Sequence, residues 1–264
     1  LLYKFKTLEC GTLEELESLI GKLSFCAVLM WPGKAFLRRL RDLLYDYIRR
    51  YKRKKTFVAI PEWALLDIDW WIFSMENIEP MSIIDECEGR FEDIVISTDG
   101  ATNGSREKGW KPGVGGHMEG KLLMAEVPDE YLGMYESKDR LYIKEFAIAH
   151  FEMLGIIVTL WNLRDSFVKG QRILIRCDNK TVESVLISKN SADLFLMQGV
   201  RWICMFAVIR KIRFFIKYIW TKNNVIADAL SRFDPKEAEA YVSTKTEYEF
   251  KCVENVCFPD INIY

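Results

Sequence analysis

The sequence predicts an α/β fold: a mixed five-stranded sheet flanked by helices, preceded by a small helical segment. Three observations predict it. From Thr12 to about Tyr51, and again from Pro61 through Ile72, the apolar side chains recur at helical spacing, and Asn77 to Glu88 is irregular. From Gly89 onward the pattern changes to three short strands, a long helix, a strand, more helices and a last strand, the order expected of a mixed sheet. Apolar residues make up 50% of the 264, enough to bury a real core. The chain therefore divides into a helical segment (1–88), an α/β domain (89–233) and a weakly patterned tail (234–264).

In the first segment, Thr12 with Glu15 forms a capping box ahead of Leu16, Leu19, Ile20 and Leu23. Pro32-Gly33 breaks that helix. A second follows, with Phe36, Leu37, Leu40, Leu43, Leu44 and Ile48 as its apolar stripe. Arg38, Arg39, Arg41, Arg49 and Arg50 occupy its other face. Pro61 opens a third helix through Leu65, Ile68, Trp71 and Ile72. In the second part, Ile94-Val95-Ile96 is a short strand ending at Asp99. A Gly-rich stretch and Lys121 to Val127 give the next two strands. Ile143 to Asn162 is a long helix, and Ile173 to Cys177 is a strand ending at Asp178. Asn179 to Ile187 and Ala192 to Ile212 are helical. Phe214 to Trp220 is the fifth strand, and Asn224 to Arg232 is a short final helix.

Charge nearly cancels, with 37 Lys and Arg against 38 Asp and Glu. That balance excludes a strongly basic nucleic-acid coat or an acidic tail protein. Position says more. Residues 34–55 hold ten basic and two acidic side chains, net +8, and residues 56–88 hold eight acids and no Lys or Arg, net −8. Residues 194–227 carry six cations and no acid. Seven cysteines without a CxxC spacing argue for reduced thiols in an intracellular protein, cytoplasmic or nuclear. The most apolar long stretch, Val200 to Trp220, carries five cations, which excludes a membrane span.

Acids at strand ends are the candidate chemistry. Open α/β sheets bind ligands at the carboxyl ends of strands. If the first and fourth strands are neighbours, Asp99 and Asp178 lie side by side. Two carboxylates that close need a cation, and Mg²⁺, a hard ion with oxygen ligands, is the natural one. Glu145 in the long helix and Asp228 in the last helix could complete the set. Glu152 shares a face with Glu145 seven residues later and is its rival.

Four segments carry a family resemblance. Ile96-Ser97-Thr98-Asp99-Gly100-Ala101, with the Gly-rich strand after it, resembles the opening of ribonuclease H domains. Ile143-Lys144-Glu145-Phe146-Ala147-Ile148 resembles their glutamate helix, and Arg176-Cys177-Asp178-Asn179 their second aspartate. Asn223-Asn224-Val225-Ile226-Ala227-Asp228-Ala229-Leu230-Ser231-Arg232 is similar to the ADALSR segment that ends these domains in retroelement reverse transcriptases. Upstream, Trp31-Pro32-Gly33-Lys34-Ala35-Phe36-Leu37-Arg38-Arg39-Leu40 and Leu66-Asp67-Ile68-Asp69-Trp70-Trp71 resemble the thumb-side, linking region of the DIRS, tyrosine-recombinase type.

The resemblance implies a ribonuclease H-like fold and hydrolysis of the RNA strand of RNA–DNA hybrids. It implies two Mg²⁺ ions, with Mn²⁺ an admissible substitute. Asp99 would bridge both, Glu145 and Asp178 would hold one, and Asp228 the other. Gly100 and Asn179 would touch the hybrid, with Arg38, Arg39, Lys52 and Arg53 on its phosphates. No Tyr-x-Asp-Asp motif occurs, so the chain is expected to be the C-terminal part of a reverse transcriptase without its palm and fingers. The loop before Asp228 has no histidine where related enzymes often have one, and His117 and His150 read as structural. The rival readings are a catalytically silent nucleic-acid-binding remnant or domesticated module, and a three-acid integrase or transposase, against which the ADALSR ending speaks.

Overall fold

A computed structural model gives the structure of the chain. It describes residues 1–51, 56–77, 93–102, 112–128, 131, 140–234, 236, 238, 240 and 251–261, without the side chains of 140–147. Two compact units result: Leu1–Arg90 with Ser188–Asn190 and Tyr264, and Phe91–Ile187 with Ser191–Ile263.

The first unit contains α1 (Leu2–Leu8), β1 (Cys10–Thr12), α2 (Leu13–Leu29), α3 (Arg38–Tyr51), β2 (Phe57–Ala59) and α4 (Glu62–Asn77). The Thr12 hydroxyl accepts from the Glu15 amide and the Glu15 carboxylate accepts from the Thr12 amide, so the capping box starts α2 as expected. Pro32 and Gly33 sit in a 3₁₀ turn (Trp31–Phe36) that separates α2 from α3. The core gathers Phe5, Leu16, Leu23, Leu37, Leu40, Ile68 and Trp71, all fully buried. The Trp71 indole donates to the Phe36 carbonyl at 3.0 Å, and Phe36 stacks on Trp70 with ring centroids 4.1 Å apart.

Two features depart from the sequence expectation. β1 and β2 form an antiparallel pair, Cys10 opposite Ala59, in a segment read as purely helical. Three-residue strands carry too little periodicity to be seen. Ile48, assigned to the apolar stripe of α3, is 45% exposed, because α3 buries only Leu40 and Leu43 fully.

The acidic block meets Arg39 of the basic block and, outside it, Lys6. Arg39 faces the fully buried Asp67 carboxylate at 3.6 Å, and Lys6 bonds Asp69 at 2.6 Å. Arg39→Ala leaves that buried charge undercompensated. We expect a loss of about 3 kcal/mol in thermal or denaturant unfolding. Gly21→Ala should act the other way. Gly21 lies inside α2 with open space around a new Cβ, and the same measurement should show a gain of about 1 kcal/mol.

The second unit is built on β3 (Ile94–Ala101), β4 (Gly113–Met118), β5 (Lys121–Glu126), α5 (Arg140–Asn162), β6 (Arg172–Cys177), α6 (Lys180–Ser188), α7 (Leu194–Arg210), β7 (Arg213–Tyr218), α8 (Val225–Ser231) and β8 (Lys251–Cys252). The sheet order is β7-β6-β3-β4-β5-β8. β3 pairs antiparallel with β4 and parallel with β6, so the sheet is mixed, as expected. Among the described residues it has six strands rather than five. The sixth is β8, a two-residue strand from the tail, pairing Lys121 with Lys251 and Leu122 with Cys252. Sequence pattern gives no sign of it, because the edge of β5 defines it rather than its own composition. The tail is tied down further along, where the Asn162 amide and the Cys257 backbone exchange hydrogen bonds of 2.8 and 2.9 Å and Tyr131 donates to the Pro259 carbonyl.

Helices pack on both faces, and glycines set how closely. α5 lies so tightly on β3 that a Cβ on Gly100 would sit 2.2 Å from the Phe151 carbonyl carbon. A Cβ on Gly155 of α5 would sit 2.7 Å from the Asp99 carbonyl oxygen. On the other face α8 covers β4, where a Cβ on Gly115 would be 2.4 Å from the Ala227 carbonyl. Backbone approaches this close admit only glycine. Six cysteines fall among the described residues and all are free thiols. Among the described residues, no helix is long and apolar enough to cross a membrane.

Candidate active site

Strand register brings the first two carboxylates together. In the parallel β3–β6 pair, Ile94 lies opposite Ile173 and Ser97 opposite Arg176. Asp99 stands two residues further along β3, and Asp178 follows directly on the end of β6 at Cys177, so the two acids meet at the same end of the sheet. Glu152, from the middle of α5, joins them. One carboxylate oxygen from each of Asp99, Glu152 and Asp178 lies within 4.8 Å of the others. Glu145, the glutamate taken from the resemblance, lies two turns earlier on α5, and its side chain is outside the described residues. The residue that the sequence reading held as its rival is the one the geometry brings to the aspartates.

These acids line a cleft of about 310 Å³, together with Gly100, Asn179, Asp228 and Arg232. Asp228 therefore reaches the cleft but is not in the close cluster. Arg232, one turn later on the same segment, holds it, donating from two guanidinium nitrogens to Asp228 Oδ1 at 3.0 and 2.8 Å. Asn224 sets the start of α8 through a buried bond of 2.9 Å to the Thr98 carbonyl. At its other end the Ser231 hydroxyl bonds Asp99 Oδ2 and approaches the Asp228 carbonyl at 2.9 Å.

Electrostatics in the cleft is that of crowded acids. Asp99 is only 4% exposed. Burial raises its carboxyl to about 7, Ser231 opposes the rise, and Asp178 and Asp228 add to it. Glu152 is pushed well above the usual carboxylate range, by burial first and then by Asp99 and Asp178, with the Gly100 amide opposing. Among the described residues, Glu152 Oε2 and Asp178 Oδ1 are buried with no hydrogen-bond partner. Buried acceptors without donors, on acids that repel one another, fit a divalent cation with oxygen ligands. The neighbouring Cys177 thiol is pushed up to about 12, chiefly by burial, and is no nucleophile at neutral pH.

The other residues named from sequence fall as follows. The Gly100 amide is turned to Glu152 rather than left open for a ligand. The Asn179 side-chain oxygen accepts from the Thr181 and Val182 amides at 2.9 and 3.2 Å, starting α6. Arg38 pairs with Asp42 at 2.8 Å, and Arg39 with Asp67 as described above. Lys52 and Arg53 lie outside the described residues. His117 is held down to about 4 by burial and then by Arg176, so it is neutral. His150 Nε2 lies 2.9 Å from Asp193, which caps α7. Neither histidine lines the cleft. Ser231, Asn224 and Arg232 are further functional candidates, which in the sequence stand only as members of the segment around Asp228.

No family model matches the chain and no curated relative does. Among solved structures it is similar to RNase H1 from the halophilic archaeon Halobacterium salinarum NRC-1, at 18% identity and a TM-score of 0.36, covering 55% of this chain and 98% of that one. It is also similar to LC11-RNase H1, isolated from compost and described in complex with an RNA/DNA hybrid, at 17% identity and a TM-score of 0.35, covering 56% and 99%. A foamy viral protease-reverse transcriptase in complex with double-stranded DNA matches at 12% identity and a TM-score of 0.24, covering 78% of this chain and 34% of that one.

Proposed function

We propose that the Phe91–Ile263 unit is a divalent-metal-dependent nuclease of the ribonuclease H type, cutting the RNA strand of RNA–DNA hybrids. We read the chain as the C-terminal part of a retroelement reverse transcriptase. The observation that carries the nuclease reading is the convergence of Asp99, Glu152 and Asp178, two of them on motifs that resemble this family in the right order. The ordered motifs ending in Ala227-Asp228-Ala229-Leu230-Ser231-Arg232 support the retroelement context.

Asp99, Glu152 and Asp178 would hold the metal, with Asp228 a further ligand once it leaves Arg232. A bound Mg²⁺ or Mn²⁺ would neutralise phosphate charge and lower the pKa of water. The chain's own groups do the rest. The Ser231 hydroxyl orients Asp99 and would hold its carboxylate in one rotamer for a cation. Asn224 fixes α8 to the backbone beside Asp99. Arg232 presents a guanidinium at the cleft wall, suited to a phosphate oxygen.

The test is a gel assay on an end-labelled hybrid with Mg²⁺. The RNA strand should be cut, the DNA strand left intact, and EDTA should stop the reaction. Equal cleavage by the Asp178→Asn chain would overturn the reading. A hybrid that is bound but never cut would favour the silent module instead.

A further inference from the structure

We propose that the sheet face over β6 and β7, next to the cleft, seats an unpaired nucleic-acid strand running on from the cleft. The proposal rests on the nuclease reading above and adds a second surface to it. Side chains alternate along a strand, so register fixes which residues share that face. Gly115 and Asp99 form the row at the cleft, with Asp178 just past the end of β6. The next row holds His117, Ser97, Arg176 and Lys217, then come Leu174 with Phe215, and last Arg172 with Arg213. α8 lies on this face at β3 and β4, as the fit of Gly115 shows. Over β6 and β7, Arg176 and Lys217 are exposed and the Phe215 ring is 38% exposed.

The charge arrangement points to an anion. Arg176 stands directly opposite Lys217, and Arg172 directly opposite Arg213. Like charges in cross-strand pairs destabilise a sheet. Arg172 has Asp93 at 3.4 Å, but among the described residues Arg176 and Lys217 have no ion-pair partner. Among the described residues, the strand positions of β6 and β7 on this face carry no carboxylate between Asp93 and the cleft acids, and Glu183 of α6 accepts from the Tyr218 amide at 2.7 Å. From Arg172 to Arg176 is roughly 13 Å along the strand, a reach of several phosphates. Two of the four, Arg213 and Lys217, belong to the six cations of residues 194–227, and Arg172 and Arg176 come from the preceding strand.

Phe215 decides between a duplex and a single strand. Its ring lies midway between the two cationic rows. Bases in a duplex have their faces stacked on one another and cannot offer them to a ring, whereas an unpaired base can. An aromatic flanked by cations on an open sheet is the chemistry of single-strand binding. The occupant is therefore an unpaired extension of the strand held in the cleft.

Fluorescence anisotropy on the full Asp178→Asn chain with Mg²⁺ tests this. The probes are a short blunt RNA–DNA hybrid and the same hybrid with a single-stranded DNA extension at either end. One extension should tighten binding about tenfold, the worth of a stacked base. Phe215→Ala should remove that gain. Arg176→Gln with Lys217→Gln, both exposed and safe for folding, should remove it too and lower the salt slope by about 1.4. In the otherwise wild-type chain these changes should leave cleavage of the blunt hybrid unaltered. An extension that adds nothing, or a gain that survives both variants, overturns the proposal. A chain that grips the extension through Phe215 yet cuts no hybrid supports this surface and overturns the nuclease. One that cuts blunt hybrid and ignores the extension does the reverse.

Discussion

Asp99→Asn should abolish hybrid cleavage and, at the same time, stabilise the metal-free protein above neutral pH. The first effect follows from removing a ligand at the centre of the cluster. The loss of several kcal/mol of charge stabilisation lowers the rate by at least about 10³-fold. The second follows from the direction of the pKa shift. Asp99 is raised from 3.8 to about 7 on folding, first by burial. The folded state therefore resists ionisation that the unfolded chain accepts. The contribution of Asp99 to stability is greatest below about pH 4 and falls as pH rises to about 7, by on the order of 4 kcal/mol. Asn cannot ionise, so the variant should lose this slope. Unfolding followed against pH in EDTA checks it, and added Mg²⁺ should restore wild-type stability at high pH. A parallel fall in stability and activity at all pH values would mean that Asp99 is simply a structural residue.

Gly100→Ala should unfold the second unit or cost it more than about 4 kcal/mol. The new methyl would meet the Phe151 carbonyl carbon at 2.2 Å and its oxygen at 2.3 Å. These are backbone atoms in the middle of α5, so no rotamer change relieves the clash. The contact also places the site, because Glu152 follows Phe151 directly. A destabilised Gly100→Ala protein should therefore lose cleavage before it loses all secondary structure. Circular dichroism and the hybrid assay on one sample distinguish the two losses. Gly21→Ala, where a Cβ meets nothing, serves as the control.

The pair Asp99 and Asp178 was legible because two short apolar runs each end in an acid, and parallel pairing then leaves one arrangement. The choice between Glu145 and Glu152 was not legible from spacing, since seven residues return a helix to the same face. A signal was present in Gly155. A glycine inside a helix weakens it unless something approaches closely, and Gly155 meets the backbone of Asp99 three residues past Glu152. It marks the part of α5 that touches β3, and Glu145 is three turns away from it. For Asp228 the motif pointed to α8, and Asp228 lines the cleft. Its carboxylate direction depends on Arg232, an i,i+4 partner whose geometry a motif does not specify. β8 was invisible because two residues have no period. The cross-strand cations of β6 and β7 lie far apart in the chain, and only register shows that they face one another.

The central claim is that Asp99, Glu152 and Asp178 together bind a divalent cation. Anomalous scattering from crystals soaked in Mn²⁺ tests it most directly. The account predicts a manganese peak in the cleft, at roughly 2.1 Å from an oxygen of each of these three carboxylates. A cleft without a peak, or a peak whose glutamate ligand is Glu145, would contradict it.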